Sequence, residues 1–338
     1  NCSCFREAGH DNSKTLEIEK ATPRPEAAMA AAEVESQEVR VILSPESPET
    51  MKRVDLKLGF KRPQIQELQE SQVPDYSNDY TRQTQKRVGA FCYDSDLHDG
   101  VSILKKGPVL LDNGAVYYGE WSVLDGLRHG RGKQIWPDGS VYEGYWAYDK
   151  TNGKGRLIHS DGDVYEGGWL EDKAHGFGKY THVDGSTYEG YWKEDKQHGQ
   201  GTEVWPDKAC FKGEYLNGKK HGKGMFNWPD GSTYDGEFME NNLHGQGVYV
   251  WADGRRYEGT WKYNKMDGYG KFTWADGRLY EGEYAGDKKH GKGIFKWPDG
   301  RKYEGMWMNG KQHGRGVQYS KDGDRVEGDW RDGRRQRT

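Results

Sequence analysis

The sequence has 338 residues and a formal net charge of −4, so nothing global attracts it to nucleic acid. It has no run of about 18 apolar residues, which excludes a predicted membrane-spanning helix. Aromatic residues make up 13% of the chain and glycine contributes 48 residues. A composition that is rich in aromatic residues and glycine but poor in aliphatic residues predicts an all-β chain of short strands and tight turns.

The four cysteines are Cys2, Cys4, Cys92 and Cys210. Only the first two stand close together, so the spacing does not suggest a disulfide framework. We therefore expect a cytoplasmic protein, because reduced thiols are the rule in that compartment.

Residues 1–106 form an extension that differs in composition from the rest, because all 13 tryptophans come after position 120. The extension is polar, which predicts a largely disordered or extended chain. A possible short helix covers 62–72, since Pro63 suits an early helical position. Residues 73–100 are predicted to be extended and irregular. Four aromatic side chains in that stretch are candidates for docking onto the rest of the chain: Tyr76, Tyr80, Phe91 and Tyr93.

The chain begins NCSCF. If Met and Gly preceded Asn1, Cys2 and Cys4 would stand near an acylated glycine and would be candidate acylation sites. The match is partial, because the acylation pattern favours Ser or Thr where Cys4 stands. The alternative is an unmodified tail.

Residues 107–333 form a tandem array with a period of 23 residues after a first step of 25. The string VYEGYW at 141–146 recurs, and its tyrosine position falls at Tyr117, Tyr142, Tyr165, Tyr188, Phe211, Tyr234, Tyr257, Tyr280, Tyr303 and Val326. A second string, HGxG, begins at His129, His175, His198, His221, His244, His290 and His313, with Asn152 and Asp267 in two further copies. A third string, WPDG or WADG, begins at Trp136, Trp228, Trp251, Trp274 and Trp297. A basic tail, 334–338, follows.

Side-chain alternation predicts what each unit does. In a strand, Tyr257, Gly259 and Trp261 share one face, while Glu258 and Thr260 share the other. A glycine leaves a hole in the pleated surface, which a ring from the neighbouring strand can cover. Each unit is then a β-hairpin, and nine or ten stacked hairpins give an elongated, twisted, single-layer antiparallel sheet.

These strings resemble the MORN (membrane occupation and recognition nexus) repeat family, whose unit reads YxGxWxxxxxHGxG followed by DG. The chain departs from that pattern at Lys208, where the DG glycine is missing, and at Phe211 and Val326. The resemblance implies a single twisted antiparallel sheet and a scaffolding role. Members of the family occur in ciliary and cytoskeletal assemblies, in membrane-contact proteins and as appendages of lipid kinases.

The leading hypothesis is a non-enzymatic scaffold that binds an extended segment or helix of a partner protein in an aromatic–glycine groove. The resemblance makes a cilium or the cytoskeleton the expected setting, and a homodimer is one possible assembly. The predicted groove residues are Tyr142, Trp146, Tyr165, Trp169, Tyr188, Trp192, Trp228, Trp251, Tyr257 and Trp261. The N-terminal segment with Tyr76, Tyr80 and Phe91 is a candidate lid for this groove or a candidate dimer tether.

A second hypothesis is membrane recruitment by anionic phospholipids. Lysines recur two residues before the HGxG histidine position and would form one edge of the sheet. Acidic neighbours nearly cancel their charge, so a solvated edge that discourages aggregation is the alternative. The candidate lipid-facing residues are Lys150, Lys173, Lys196, Lys219, Lys265, Lys288 and Lys311.

The sequence predicts no catalytic residue, metal site or cofactor. Equivalent histidines would lie about 10 Å apart, too far to share a metal ion. Cys210 has no base beside it in the pattern, and GDKKHGKG at 286–293 is followed by strand residues, unlike a phosphate-binding loop. A third hypothesis, a regulatory fragment of a larger lipid-kinase-type enzyme, requires a catalytic domain outside these residues.

Overall fold

The structure is a computed structural model that describes residues 66–94 and 100–336. They divide into two compact units, an N-terminal unit that ends at Gly162 and a C-terminal unit that begins at Asp163. Over the described residues, no helix is long and apolar enough to cross a membrane.

The N-terminal unit combines antiparallel strands with one α-helix and a 3₁₀ turn at Glu70–Gln72. Each strand pairs with the next along the chain. The elements are β1 (Gln66–Glu67), α1 (Asp79–Val88), β2 (Ile103–Leu110), β3 (Val116–Ser122), β4 (Arg128–Ile135), β5 (Val141–Ala147) and β6 (Lys150–Ile158).

The C-terminal unit is an antiparallel meander in which each strand again pairs with the next. Its strands are β7 (Val164–Leu170), β8 (Lys173–Thr181), β9 (Thr187–Lys193), β10 (Lys196–Val204), β11 (Cys210–Leu216), β12 (Lys219–Asn227), β13 (Thr233–Met239), β14 (Asn242–Val250), β15 (Arg256–Lys262), β16 (Lys265–Thr273), β17 (Leu279–Ala285), β18 (Lys288–Lys296), β19 (Lys302–Met308), β20 (Lys311–Tyr319), β21 (Arg325–Arg331) and β22 (Arg334–Arg335). The predicted all-β, antiparallel class of tandem hairpins is confirmed.

The extension differs from its prediction at two places. The helix predicted over 62–72 does not form over its described part, where β1 and the 3₁₀ turn stand instead. The helix that does form, α1, lies in a stretch predicted to be irregular. The Asn78 side chain accepts a hydrogen bond from the Thr81 backbone N–H and so caps its N-terminus.

Most hairpin turns are hydrogen-bonded to the repeat before them. In the turn between β9 and β10, Glu194 and Asp195 both have positive φ, at 49° and 64°, which favours Asn, Asp and Gly. The Asp195 N–H donates to the Ala174 carbonyl at 3.1 Å, and the Ala174 N–H donates to Asp195 Oδ1 at 2.7 Å. These turn links therefore stack consecutive repeats in register.

The core of a repeat is a tyrosine ring lying over a pair of glycines. Gly259 pairs with Gly270 across β15 and β16, and a Cβ atom at either glycine would meet the ring of Tyr257 within 2.7 Å. The Tyr257 hydroxyl donates to the Thr260 carbonyl at 3.0 Å. The expectation of a ring from the neighbouring strand is therefore wrong for the glycine on β15, because the covering ring comes from the same strand.

The tyrosines are joined by the ring that ends each YxGxW string. Trp261, for example, lies edge-on to Tyr257 at 5.1 Å and to Tyr234 at 5.7 Å between ring centroids. Such edge-to-face contacts are favourable beyond simple burial. In the C-terminal unit they form one continuous row, called the inner ring row: Trp169, Tyr165, Trp192, Tyr188, Tyr215, Phe211, Phe238, Tyr234, Trp261, Tyr257, Tyr284, Tyr280, Trp307, Tyr303 and Trp330.

One repeat contains a buried ion pair in this aromatic core. Lys220 Nζ lies 2.8 Å from Glu203 Oε2, and the two side chains are 5% and 6% exposed. The Tyr215 hydroxyl donates to the same carboxylate oxygen at 2.9 Å. The ammonium also lies 5.0 Å from the ring centroid of Trp205, so carboxylate and rings together replace its lost hydration.

Candidate functional site

Most of the predicted groove residues are core residues rather than an open surface. Tyr142, Trp146, Tyr165, Tyr188, Trp192, Tyr257 and Trp261 are each at most 8% exposed. The remaining three, Trp169, Trp228 and Trp251, are half-buried. The two faces of the strand were assigned correctly, but the prediction did not foresee that the rings cover one another.

A second ring row on the same face is more accessible, and it is called the outer tryptophan row. Its half-buried members are Trp205, Trp228, Trp251, Trp274 and Trp297. Buried rings join them, so that Tyr249 lies 5.0 Å from Trp228 and 4.4 Å from Trp251. Sequence reasoning named only Trp228 and Trp251 here, although the WPDG and WADG strings marked most of the others.

Arginines lie over three rings of the outer tryptophan row. The Arg255 guanidinium is 5.2 Å from the ring of Trp251, and its Nε is 2.8 Å from Asp253. The same arrangement recurs with Arg278 over Trp274 at 5.3 Å and with Arg301 over Trp297 at 5.3 Å. The row thus offers aromatic area edged by fixed charge, which is the composition of protein-binding hot spots.

The predicted lipid-facing lysines are all exposed and each begins the second strand of its hairpin. The aspartates predicted to offset their charge have a further structural role, since Asp195 accepts the backbone hydrogen bond described above. Cys2 and Cys4, the candidate acylation sites, lie outside the described residues.

The extension docks onto the N-terminal unit, beginning with helix α1 along a row of DG turns. The Thr84 hydroxyl donates to the Gly162 carbonyl at 3.1 Å, and Asn78 Nδ2 donates to the Ser160 carbonyl at 3.0 Å. A Cβ atom at Gly139, where φ is +90°, would lie 2.8 Å from Asn78 Nδ2. The turn glycine is therefore needed for the helix to approach.

After α1 the chain crosses the face opposite the rings, so the predicted lid over the aromatic groove is wrong. Tyr93 packs edge-on against Tyr145 at 5.5 Å, and its hydroxyl donates to the Gly132 carbonyl at 3.1 Å. The Tyr145 hydroxyl donates to the Asp94 carbonyl at 2.9 Å, while Lys154 Nζ lies 3.0 Å from Asp94 Oδ1.

Two further contacts complete this docked segment. Arg156 donates to the Gly89 carbonyl at 2.8 Å, and its guanidinium lies 5.6 Å from the ring centroid of Phe91. Of the four aromatic side chains predicted to dock, Tyr76, Phe91 and Tyr93 contact the repeats, whereas Tyr80 is 61% exposed.

A charged cluster lies at the start of the C-terminal unit. His182 Nδ1 lies 2.7 Å from Asp163 Oδ2, and the Tyr180 hydroxyl donates to the same oxygen at 3.0 Å. Burial by itself lowers the pKa of His182, but the hydrogen bond and charge of Asp163 outweigh it, so this pKa lies above its ordinary 6.5. Burial raises the pKa of Asp163, but its hydrogen bonds to His182 and Val183 bring it below the ordinary 3.8.

This cluster predicts a pH-dependent stability. Because the folded pKa of His182 is raised, its contribution is complete below the unfolded pKa of 6.5 and is lost as the pH rises through the folded value. We expect urea unfolding to show lower stability at about pH 8 than at about pH 6. A His182→Gln variant should lose most of that difference, and an unchanged pH profile would contradict the assignment.

The Cys210 side chain is half-buried in β11. Burial raises the pKa of the Cys210 thiol, which lowers the fraction of nucleophilic thiolate. Within residues 66–94 and 100–336, no group of three or more His, Cys, Asp or Glu side chains is placed to hold a metal ion.

Comparison with known families identifies the repeats. The MORN repeat model matches residues 117–141, 142–164, 165–187, 188–210, 211–233, 234–255, 257–277, 280–300 and 303–325. The chain belongs to the MORN repeat family. A MORN array is a repeat scaffold or binding module, and the two ring rows are how its sheet makes a core without a second layer.

Among curated proteins, no sequence matches this MORN chain. Solved structures to which the chain is similar include the TCP10 domain of Danio rerio CPAP in complex with a STIL peptide, at 14% identity and a TM-score of 0.34, covering 68% of this chain and 100% of that one. Another is the SAS-4 TCP domain of Drosophila melanogaster with a proline-rich motif of Ana2, at 12% identity and a TM-score of 0.27, covering 65% and 98%.

Proposed function

We propose that this protein is a non-enzymatic scaffold whose outer tryptophan row binds an extended segment or helix of a partner protein. The row is the observation that supports the proposal best. Single exposed aromatic residues are common on protein surfaces, but five half-buried tryptophans in consecutive repeats are not. Tryptophan and arginine are the residues most enriched where binding energy is concentrated.

The behaviour of the extension also supports binding of protein segments. Residues 76–94 of the same chain already dock on the repeats as a helix followed by an extended stretch, through Asn78, Thr84 and Tyr93. Backbone carbonyls of the DG turns and of β4 accept those hydrogen bonds. Since every repeat presents such carbonyls, other repeats can receive a partner in the same two conformations.

The proposed setting is cytoplasmic, in a ciliary or cytoskeletal assembly, as the family resemblance favours. The absence of a catalytic role is part of the proposal. It is supported by the raised pKa of the Cys210 thiol and by the HGxG histidines, which recur as part of the repeat pattern. Recruitment to anionic membranes through the exposed lysines is the competing function.

The test is capture of partner proteins from native extract of ciliated cells by the full chain, quantified by mass spectrometry. The variant replaces Trp251 and Trp274 together by alanine. We expect proteins retained by the wild type to fall at least tenfold, about 1.4 kcal/mol or more of binding energy. The matched control is Tyr269→Ala, which removes an exposed ring from the opposite face. Circular dichroism checks that the sheet persists.

A second arm measures sedimentation with vesicles of phosphatidylcholine and phosphatidylserine at physiological salt. Replacing Lys173 and Lys196 by glutamine should change little, since exposed charges are screened. Equal protein capture by the Trp251 and Trp274 variant would refute the proposal. Vesicle binding that the lysine changes abolish would then favour membrane recruitment.

A further inference from the structure

The docked extension provides an internal template for a second binding site, on the face opposite the rings. In the N-terminal unit, Tyr145 is covered by the stretch 89–94 and is only 5% exposed. Its contacts are one ring, Tyr93, and one backbone carbonyl, that of Asp94. The site is therefore a tyrosine on a strand, with the side chains of the two flanking strands around it.

The same position two repeats later is Tyr191, because 46 residues separate the two tyrosines. Arg131 pairs with Tyr145 across β4 and β5, and Phe177 pairs with Tyr191 across β8 and β9. The Gly132 carbonyl that holds the Tyr93 hydroxyl corresponds to that of Gly178, which also accepts the Trp192 indole N–H at 3.2 Å. The backbone and the central tyrosine of the template are thus both repeated.

In the C-terminal unit this position is not covered by any described residue. Phe177 and Tyr191 are 56% and 53% exposed, and their rings meet edge-on at 5.6 Å. They line a groove of about 500 Å³ whose walls include Lys179, Thr202 and Val204. Two exposed rings beside an aliphatic side chain form an exposed apolar patch along the groove. Such patches mark interaction sites.

The residues that surround Tyr191 differ from those that surround Tyr145, and these differences determine which segment the second site can bind. Where the template has the cation Arg131 against Tyr93, the second site has the ring of Phe177. Where the template has Arg156, the second site has Thr202, so the hydrogen bonds from Arg156 to the Val88 and Gly89 carbonyls have no counterpart. The second site therefore depends more on ring contacts and less on charge than the template does.

Some positive charge remains at the groove. Its charged lining residues are Lys179, Lys212 and Glu189, and Lys179 lies 3.6 Å from Glu189. The sum is one net positive charge, which favours an occupant with a carboxylate. Gln200, which also lines the groove, stands where Lys154 holds Asp94 in the template. Its amide group can donate a hydrogen bond to a carboxylate, so a hydrogen bond replaces the ion pair of the template.

We propose that the groove at Phe177 and Tyr191 binds an extended segment of a partner protein that presents two aromatic side chains at alternate positions followed by a carboxylate. This is the pattern of Phe91, Tyr93 and Asp94 in the template. The site is distinct from the outer tryptophan row, which lies on the other face, so one MORN array can hold two partner segments at once.

The probe is a fluorescently labelled peptide of the sequence GAFSYD, which copies residues 89–94 with serine in place of Cys92 to prevent oxidation. Anisotropy titration of the full chain should give saturable binding. Replacing Phe177 and Tyr191 together by alanine should weaken it at least tenfold, and Lys212→Glu should weaken it severalfold. Both rings are exposed, so circular dichroism should show an intact sheet.

Two controls separate this site from others. Tyr269→Ala, which removes an equally exposed ring from the same face, should leave the affinity unchanged, and a peptide with alanine for both aromatic residues should not bind. No saturable binding, or equal binding by the Phe177 and Tyr191 variant, overturns the proposal. Loss of binding only in the Trp251 and Trp274 variant also overturns it, while supporting the outer tryptophan row.

Discussion

Replacing Lys220 by methionine should lower the free energy of unfolding by about 3 kcal/mol or more, because it leaves the Glu203 carboxylate buried without its cation. Methionine keeps most of the packing volume, so the loss reports the charge rather than a cavity. Urea denaturation followed by tryptophan fluorescence measures it, since Trp205 lies next to the ammonium.

The neighbouring repeats provide a matched rescue for this variant. Glu203 stands where the next repeat has Phe226, and Lys220 stands where the next repeat has Leu243. The double variant Glu203→Phe with Lys220→Leu should therefore equal or exceed the wild type in stability. Lys219→Met, beside it but 51% exposed, should change stability by less than about 1 kcal/mol. A small loss for Lys220→Met alone would show that the pair is solvated.

Gly259→Val should be nearly as costly, at about 3 kcal/mol. A Cβ atom there would lie 2.5 Å from the Gly270 Cα and 2.6 Å from the Tyr269 carbonyl oxygen. These are backbone atoms of the sheet, which cannot rotate away as the end of a side chain can. The branched side chain would also displace the Tyr257 ring. Hydrogen exchange of β15 and β16 would detect the local loss of protection.

Glu258→Val is the control one residue away, on the opposite face. Its carboxylate makes only an exposed ion pair with Arg256 at 2.7 Å, which contributes little. The expected change is less than about 1 kcal/mol, and valine suits a strand. Equal losses at 258 and 259 would mean that the faces are assigned wrongly.

The fold could be predicted from the sequence because the same side-chain alternation recurs in every repeat, so many copies indicate which face of the strand each position occupies. Alternation alone placed Tyr257, Gly259 and Trp261 together, and their burial confirms it. Alternation does not report how far a ring tilts, however. Tyr257 folds back over its own glycine, so most of the residues predicted as an open groove form the core. The more accessible ring surface is the outer tryptophan row, which includes only Trp228 and Trp251 of the predicted residues.

The extension was harder to predict because its structure depends on distant contacts. Helix α1 has few apolar residues, and its buried side chains are Thr81 and Thr84. Its local sequence thus gives no periodic apolar signal. The Asn78 cap was a visible clue, but the Gly162 carbonyl that receives Thr84 lies 78 residues away.

The turn links have a consequence for how the chain is made. In most hairpin turns one backbone N–H donates to a carbonyl of the repeat before it in sequence, as Asn241 does to Lys220 at 3.0 Å and Asn264 to Leu243 at 3.0 Å. A hairpin leaving the ribosome therefore finds the acceptor of its turn N–H on a repeat that is already synthesised. Synthesis from the N-terminus and assembly of the stack run in the same direction.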